Sequence, residues 1–401
     1  IQRVKIMTFD FDVAIIGGGP VGSTLAYNLV KENVSVCIIE KKRIIGYPLQ
    51  CAGILSRDIL DINDLPSDLI LNKVKGSYLH SPNKLLKVGK EDSVAFIIDR
   101  VAYDQFLAKR AKDNGVKFFM QHKVNDIDID KGIIKTNNKI ITSKIIVGAD
   151  GCNSLVSKKL NNESKCYNAD QYLVRINQEF NQEYVDVFIN EDVLPGFLWL
   201  IPVCDNLYRI GLFSNDDYKT QNNIIEDFLE SKGAFKNSNL NISDYEILEK
   251  YHGYIPIYDK NKTIVNKRVV LIGDAASQVK PTTGGGLILS FNTVNILSKI
   301  IIESLIKDDL SILDDYTDEF NKSFNDELNN EMKVHKTLNS LSNNDLDYLF
   351  DKVKLNNGEE FISKYGDMDK QSLLIKEFLK TGLLFKILPT LLKSKISSIW
   401  S

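Results

Sequence analysis

Short apolar runs separated by polar and glycine-rich turns cover most of this 401-residue chain. The run 13–16 has no polar interruption and ends in glycines, which is typical of a buried strand in a parallel sheet. The run 35–39 has the same pattern and ends in an acid, Glu40. Between about 165 and 252 the pattern becomes strand-like, which predicts a second, antiparallel layer. From Leu287 onward the spacing is helical to the end.

The first apolar run leads into the glycine-rich turn Gly17-Gly18-Gly19-Pro20-Val21-Gly22. In a dinucleotide-binding loop, Gly17 would allow the sharp turn, Gly19 the approach of a pyrophosphate, and Gly22 the packing of helix on strand. The helix, predicted to begin near Ser23, would point its partly positive N-terminus at the phosphates. Glu40 stands 18 residues beyond Gly22, where an acid accepts hydrogen bonds from an adenosine ribose. A glycine turn without a ligand is the alternative.

A second glycine-rich segment follows the apolar run 269–272. Asp274 comes directly after this predicted strand, so it can accept a hydrogen bond from a ribityl hydroxyl. Gly285, Gly286 and Leu287 then offer backbone N–H groups at the start of a helix, where they suit the N1–O2 edge of a flavin. The alternative is a capped helix with an acid near its N-terminus. The two loops together predict a protein that folds around FAD.

Composition and charge exclude several classes of function. The formal net charge is -3 and no basic stripe is interleaved with aromatics, so no nucleic-acid partner is expected. The histidines are scattered, so no metal site is expected: His80, His122, His252 and His335. The five cysteines show neither CxxC spacing nor an even framework, which favours a reducing cytoplasm. We expect neither a signal peptide nor a membrane span.

The segment from Lys370 to Ser401 contains six lysines and one acid, Glu377, among many Leu, Ile and Phe residues. Apolar residues recur at roughly helical spacing, with a break at Pro389, and Trp400 stands next to the end: Leu374, Phe378, Leu384, Leu388, Leu391 and Leu392. A basic, apolar helix pair of this kind can lie on an anionic membrane surface. It can equally pack on the body of the protein. Both alternatives stay open.

Taken together, these motifs resemble the FAD-dependent geranylgeranyl reductases, within the para-hydroxybenzoate-hydroxylase-like flavoproteins, over roughly the first 340 residues. The wider group shares the first glycine loop, Asp99-Arg100 with Asp104, Gly148-Ala149-Asp150-Gly151 and Gly273-Asp274. Two further segments are similar to the reductases. One is Pro48-Leu49-Gln50-Cys51-Ala52-Gly53, and the other is Gly196-Phe197-Leu198-Trp199-Leu200-Ile201-Pro202, with Gly211 nine residues on.

The second segment departs from the reductase signature, because Phe197 and Ile201 stand where that signature has Tyr and Phe. It also resembles the Gly-Trp-x-Trp-x-Ile-Pro signature of flavin halogenases, with Phe197 replacing the first Trp. Halogenases need an active-site lysine and glutamate, and no motif assigns either here. A halogenase or another flavin monooxygenase is therefore one alternative. An electron-transfer flavoprotein that passes electrons to a quinone is another.

The resemblance implies an α/β fold with a Rossmann-like FAD-binding domain of three-layer β/β/α architecture, an antiparallel β-sheet substrate domain and a C-terminal helical region. The expected boundaries are 10–60, 99–160 and 253–325 for the FAD-binding domain, 61–98 and 165–252 for the substrate domain, and 326–401 for the helical region. Beside the two loops, the resemblance adds a set of FAD contacts: Lys41, Cys51, Ala52, Gly53, Arg100 and Val124.

The implied activity is the saturation of C=C bonds in geranylgeranyl chains, on precursors of archaeal-type membrane lipids, by hydride transfer from FAD. Cys51 is the candidate proton donor, and a cysteine that only positions the flavin is its alternative. Phe197, Trp199 and Pro202 are expected to line the prenyl pocket, with a plain sheet core as the alternative. The electron donor would be ferredoxin, NAD(P)H or another reductant. The expected location is the cytoplasm or the inner face of the cell membrane.

Overall fold

A computed structural model describes residues 8–236, 240, 242 and 244–380 of the chain. The strands, numbered in chain order, are β1 Phe11–Ile16, β2 Val36–Glu40, β3 Ile54–Ser56, β4 Ile70–Val74, β5 Gly76–His80, β6 Leu85–Gly89, β7 Ala95–Ile98, β8 Lys117–Met120, β9 Val124–Asp128, β10 Ile133–Thr136, β11 Ile140–Gly148, β12 Cys166–Ile176, β13 Tyr184–Phe188, β14 Leu198–Cys204, β15 Leu207–Ser214, β16 Tyr245–Pro256, β17 Val265–Asn266 and β18 Val269–Leu271. The α-helices are α1 Pro20–Val30, α2 Ile59–Ile62, α3 Arg100–Asp113, α4 Leu155–Lys159, α5 Tyr218–Leu229, α6 Leu287–Lys307, α7 Asp315–Asn339, α8 Asn343–Leu355, α9 Gly358–Tyr365 and α10 Gln371–Lys380.

The nucleotide-binding half is a parallel sheet of β18, β11, β1, β2 and β8 in that spatial order. Antiparallel β17 adds to one edge, and the β9–β10 hairpin continues from β11. Strands β1, β2 and β18 are largely buried, which matches their mostly apolar sequences. The predicted Rossmann-like domain is therefore confirmed, and its strands come from distant parts of the chain.

A second sheet has the order β16-β12-β15-β14-β13-β5-β6. Its pairs are antiparallel except that β5 runs parallel to β13. One face packs on α5 in a hydrophobic cluster. The sequence pattern did not predict α5, because the region was interpreted as strands. Asp217 caps this helix by accepting from the Thr220 N–H, and its buried side chains Ile225, Phe228 and Leu229 share one face.

A small third sheet, β3-β7-β4, joins the two halves. The expected domain boundary at residue 60 falls close to β3, which pairs with β7 from the insertion 61–98 rather than with the parallel sheet. Strand β3 itself therefore pairs within the small sheet and not with the parallel sheet.

The C-terminal helices complete the second sheet at its β6 edge. The Lys87 N–H donates to Glu359 Oε1 at 2.7 Å, and the Gly89 N–H donates to Ser363 Oγ at 3.0 Å. Both acceptors lie on α9, so this helix satisfies edge N–H groups that would otherwise be open to pairing. The residues expected to continue the basic apolar helices beyond 380, among them Leu384, Leu388, Pro389, Leu391, Leu392 and Trp400, lie outside the described residues, as does the side chain of Phe378.

One helix in the described part of the chain, α6, is long and apolar enough to cross a membrane by length and composition alone. Its buried residues, among them Phe291, Val294 and Leu297, pack in the core of the protein. Its apolar composition is thus explained by its position between other elements.

A disulfide joins Cys152 to Cys166, 14 residues apart. It ties the segment after β11 to the first residue of β12, and so connects the two large sheets. The spacing of the cysteines did not predict this pair. Because the disulfide is present, the cysteines no longer argue for a reducing compartment. Cys37, Cys51 and Cys204 are free thiols.

Candidate active site

The first glycine loop is tightly packed at two of its glycines and open at the third. A Cβ on Gly17, whose φ is +109°, would lie 2.2 Å from the Ala149 carbonyl oxygen, and a Cβ on Gly22 would lie 2.2 Å from the Gly17 oxygen. A Cβ on Gly19 would meet no protein atom within 4 Å. The loop thus requires glycine for packing at 17 and 22, whereas Gly19 faces open space. That is the position predicted for the pyrophosphate.

Helix α1 begins at Pro20 with Gly19 as its N-cap, three residues earlier than expected. Ser23 is fully buried and its hydroxyl donates to the Gly18 carbonyl at 3.0 Å, so it stabilises the loop from inside the helix. At the end of β2, Glu40 accepts the Gly18 N–H at 2.8 Å and the Lys42 N–H at 2.7 Å. Two backbone N–H groups therefore hold the predicted ribose-binding acid beside the loop.

The second glycine loop brings an acid and a helix N-terminus to the same cavity. Asp274 lies in the short 3-10 turn Gly273–Ala276, and burial raises its pKa to about 6, while the positive charge of Arg100 acts in the opposite direction. Gly286 is the N-cap of α6 and makes no side-chain cap, and Gly285, Gly286 and Leu287 line the cavity where this helix begins.

Arg100, the first residue of α3, is a buried cation at the centre of the site. Its Nη2 and Nε donate to Asp104 Oδ1 at 2.9 and 3.2 Å. Burial alone would lower the pKa of Arg100, but its interactions with the Asp104 carboxylate and the Cys51 side chain outweigh burial, so its pKa is raised. Arg100 is only 8% exposed, so its ion pair with Asp104 lies in the interior and not on the surface.

The Cys51 segment forms a turn that depends on Gly53. The Gly53 N–H donates to Cys51 Sγ at 3.4 Å, and Gly53 has a φ of +72°. A Cβ there would lie 2.0 Å from Nη1 of Arg209, which itself donates to the Ala52 carbonyl at 2.8 Å and to Ile98 O at 3.2 Å. Arg209 was missed by sequence reasoning. Its only signal was a charge in the otherwise apolar strand β15.

Alternate residues of β14, and the residue just before this strand, face the same cavity from the second sheet. Phe197, Trp199 and Ile201 line it. Pro202 does not: it lies on the opposite face of the strand, and its carbonyl accepts from Asn72 Nδ2 at 3.1 Å. The expectation that Pro202 lines the substrate pocket is therefore not supported by its position.

A hydrogen-bonded chain connects the sheet to the Cys51 turn. Trp199 Nε1 donates to Gln171 Oε1 at 3.1 Å, and Gln171 Nε2 donates to the Cys51 carbonyl at 3.4 Å. The Trp199 ring lies directly against Gly211, where a Cβ would come within 2.6 Å of Cζ2. Gly211 therefore accompanies Trp199 because it leaves room for the indole. Sequence reasoning missed Gln171, since no motif marks it.

A single cavity of about 1350 Å³ runs from the first glycine loop to the second and on across the sheet face. Most of the predicted site residues line it, namely Gly17, Gly19, Glu40, Lys41, Cys51, Ala52, Arg100, Val124, Phe197, Trp199, Asp274, Gly285, Gly286 and Leu287. Gly22, Ser23 and Gly53 lie behind the lining and shape it. No group of three or more potential metal-ligating side chains occurs in the described ranges.

The cavity fits FAD in its donor set as well as its size. It offers open space at Gly19, an acid at Glu40 where the sequence predicts the ribose, a partly buried acid at Asp274 and the N-terminus of α6 at Gly286. The remaining arm of the cavity is lined by apolar side chains from the second sheet and by Leu374 and Ile375 of α10.

Comparison with known proteins supports the same assignment. A family model described as lycopene cyclase protein matches residues 12–386. An uncharacterized protein of Methanocaldococcus jannaschii is 33% identical over 397 residues, covering 96% of this chain and 99% of the relative. A digeranylgeranylglycerophospholipid reductase of Methanococcoides burtonii is 28% identical over 362 residues, covering 84% of this chain and 87% of the relative.

Solved structures share the fold. A geranylgeranyl bacteriochlorophyll reductase-like protein of Thermoplasma acidophilum superposes with a TM-score of 0.82 at 22% identity, over 97% of this chain and 99% of that chain. The halogenase PltM, in a structure with FAD, gives a TM-score of 0.64 at 17% identity, over 94% of this chain and 85% of that chain. At these identities the likeness concerns the fold alone.

Proposed function

This chain belongs to the FAD-binding lycopene cyclase protein family, and we propose that it is a reductase that saturates C=C bonds in geranylgeranyl chains of a membrane-lipid precursor. The protein is an FAD-dependent oxidoreductase. The proposed substrate is supported by the name of the Methanococcoides burtonii relative and by the apolar arm of the cavity. The observation that carries the proposal is this arm, because it starts at the loops that would hold the flavin.

The chemistry of the apolar arm suits an unactivated alkene. Phe197 and Trp199 meet edge-to-face with ring centroids 6.0 Å apart, and Val185, Val187 and Ile201 continue the lining. Such side chains exclude water and hold a prenyl chain by surface burial, at about 25 cal/mol per Å² of apolar area. They offer few polar groups to orient a compact polar substrate. The shape therefore favours a long hydrocarbon over a ring with hydroxyl groups.

Each saturation adds one hydride equivalent and one proton to the double bond. Bound FAD, once reduced, supplies the hydride equivalent. We assign the proton to the Cys51 thiol, which lies in the cavity wall between the flavin loops and Trp199. Gln171 and Arg209 position this residue by binding the carbonyl groups of Cys51 and Ala52. Loss of the thiol should therefore slow reduction of the alkene without releasing FAD.

The test is an anaerobic turnover experiment. The flavin is reduced with dithionite, digeranylgeranylglycerophospholipid or geranylgeranyl diphosphate is added, and products are examined by mass spectrometry for the gain of pairs of hydrogens. We expect gains with the wild type and slower gains with Cys51→Ser. A flavin that is reoxidised only by oxygen, with an aromatic ligand stimulating NAD(P)H use, would indicate a monooxygenase instead. Reoxidation only by a quinone would indicate an electron carrier.

The lysine beside the second glycine loop does not support the halogenase alternative. Lys280 lines the cavity beside the second glycine loop, but its Nζ donates to the Met368 carbonyl and to Asp369 Oδ1, both at 2.6 Å. Both acceptors already engage this ammonium group, so it is not free to bind a substrate in this arrangement. We therefore retain the reductase as the proposed function.

The lipid substrate would reach the cavity past α10, at the inner face of the cell membrane. Leu374 and Ile375 line the cavity, whereas Leu373 next to them is 49% exposed, and Lys376 lies on the same helix. An apolar and basic helix of this kind suits an anionic membrane surface. Co-sedimentation with anionic but not with neutral vesicles would support this location, and equal behaviour with both would contradict it. The electron donor can be identified by comparing ferredoxin with NAD(P)H as reductant.

A further inference from the structure

One further acid, Glu331 of α7, is hydrogen-bonded to Thr282 at the start of the second glycine loop but does not line the cavity described above. It is completely buried. Its Oε2 accepts from Thr282 Oγ1 at 3.1 Å. Its Oε1 is buried without a hydrogen-bond partner. An ionised carboxylate with one unsatisfied oxygen is costly in the interior.

The charges around Glu331 do not neutralise it. The nearest cation is Lys280, but Lys280 is already paired with Asp369 at 2.6 Å, and both side chains are buried. His335 lies one turn along α7 and shares a hydrogen bond of 3.0 Å with the Tyr167 hydroxyl. Because burial lowers the pKa of His335, this imidazole is not a positive charge that would balance Glu331 at neutral pH. On the other side, Glu327 adds a further negative charge. The cluster therefore carries an uncompensated negative charge whenever Glu331 is ionised.

Glu331 is also placed where flavin charge changes. Thr282 is two residues before Gly284, and the residues 283–287 line the cavity at the turn that begins α6. This turn is expected to hold the N1–O2 edge, on which negative charge accumulates when a flavin is reduced. A second negative charge at Glu331, behind the same loop, would oppose that reduction.

We infer that Glu331 is a positioning residue that takes up a proton when the bound flavin is reduced and releases it when the flavin is oxidised. Electrons come from the reductant, the proton comes from solvent, and it resides on the carboxylate oxygen. Thr282 transmits the charge state of this group to the flavin loop. The inference rests on FAD occupying the two loops and is independent of the prenyl substrate.

The acidity of Glu331 is suited to this role. Burial raises its pKa to about 7, and Lys280 and Thr282 limit the rise. A carboxyl group with this pKa changes its protonation near neutral pH in response to one nearby charge. For Asp274, at the start of the same segment, burial raises the pKa only to about 6.

The test is the midpoint potential of the bound FAD as a function of pH, with dithionite as reductant and no lipid present. We expect the wild-type potential to fall with pH more steeply above pH 7 than that of Glu331→Gln, by about 30 mV per pH unit for one proton coupled to two electrons. Asp326→Asn, an exposed acid on the same helix, is the matched control and should follow the wild type. Identical slopes for Glu331→Gln and the wild type would refute the inference.

A second variant keeps the test decisive if Glu331→Gln does not bind FAD. Thr282→Val removes the hydroxyl donor but leaves the carboxylate in place. This hydrogen bond favours the ionised form of Glu331, so its loss should raise the pKa of the carboxyl group. The pH at which the midpoint potential changes its slope should therefore move upward. An unchanged pH profile in Thr282→Val would contradict the inference. A failure to reduce prenyl lipids, in contrast, would bear only on the proposed substrate.

Discussion

Trp199 can be displaced without being mutated, because Gly211 supports its ring from the neighbouring strand. In Gly211→Ala, the new Cβ would lie 2.4 Å from the Asp170 carbonyl oxygen of β12 and 2.6 Å from Trp199 Cζ2. Backbone strain plays no part, since Gly211 does not have a positive φ. Overpacking of this kind costs about 1–3 kcal/mol, and loss of the Trp199–Gln171 hydrogen bond adds about 1 kcal/mol.

These costs predict a decrease in melting temperature on the order of 5 °C, with FAD still bound. The near-UV circular dichroism should also change, because Trp199 is one of only two tryptophans in the chain. Gly253→Ala is the matched control: it adds the same methyl group on the same cavity-facing side of the sheet, but its Cβ would lie 3.5 Å from Gln50 Cβ, an ordinary contact. If Gly211→Ala melts like Gly253→Ala with an unaltered spectrum, Trp199 does not rest on Gly211.

Three further predictions address the cofactor, an acid and the cysteines. Gly19→Val should fold normally but purify without yellow colour, because a Cβ at this position meets no protein atom within 4 Å and the side chain would occupy the predicted pyrophosphate position. A variant that binds a full equivalent of FAD would contradict the loop assignment. In FAD-free protein the folded-state pKa of Asp274 is raised from 3.8 to about 6, so the folded state binds the extra proton and loses up to about 3 kcal/mol of stability as pH rises through this interval. Asp274→Asn should flatten that part of the unfolding profile, and a profile like that of the wild type would count against burial as the cause. Thiol titration of the denatured, unreduced protein should find three thiols, rising to five after reduction, whereas five at the outset would exclude the Cys152–Cys166 disulfide.

The sequence pattern predicted the parts of this fold that follow from local periodicity and from glycine. The first loop, Glu40 and Asp274 stand where their spacing indicated, since each follows a buried strand of the parallel sheet. The resemblance to the reductases predicted Phe197, Trp199 and Pro202 together, but strand alternation turns Pro202 away from the cavity that the other two line.

What could not be predicted depends on contacts between distant segments. Arg209 becomes significant only because β15 passes under the Cys51 turn, 157 residues earlier in the chain. Gln171 and Glu331 are likewise defined by partners on other elements, Trp199 and Thr282. Helix α5 was missed since its apolar residues were counted as strand positions within a β-rich region.

The two faces of β14 contact different parts of the molecule. Leu198 and Leu200 are buried in the cluster between the sheet and α5, whereas Trp199 and Ile201 face the cavity. Substitutions at the cavity-facing positions alter the space available to a substrate and leave the packing against α5 intact. Substrate preference can therefore diverge during evolution while the core between the second sheet and α5 is preserved. Among relatives of this chain, sequence variation at positions 197, 199 and 201 is the place to look for differences in the lipids they accept.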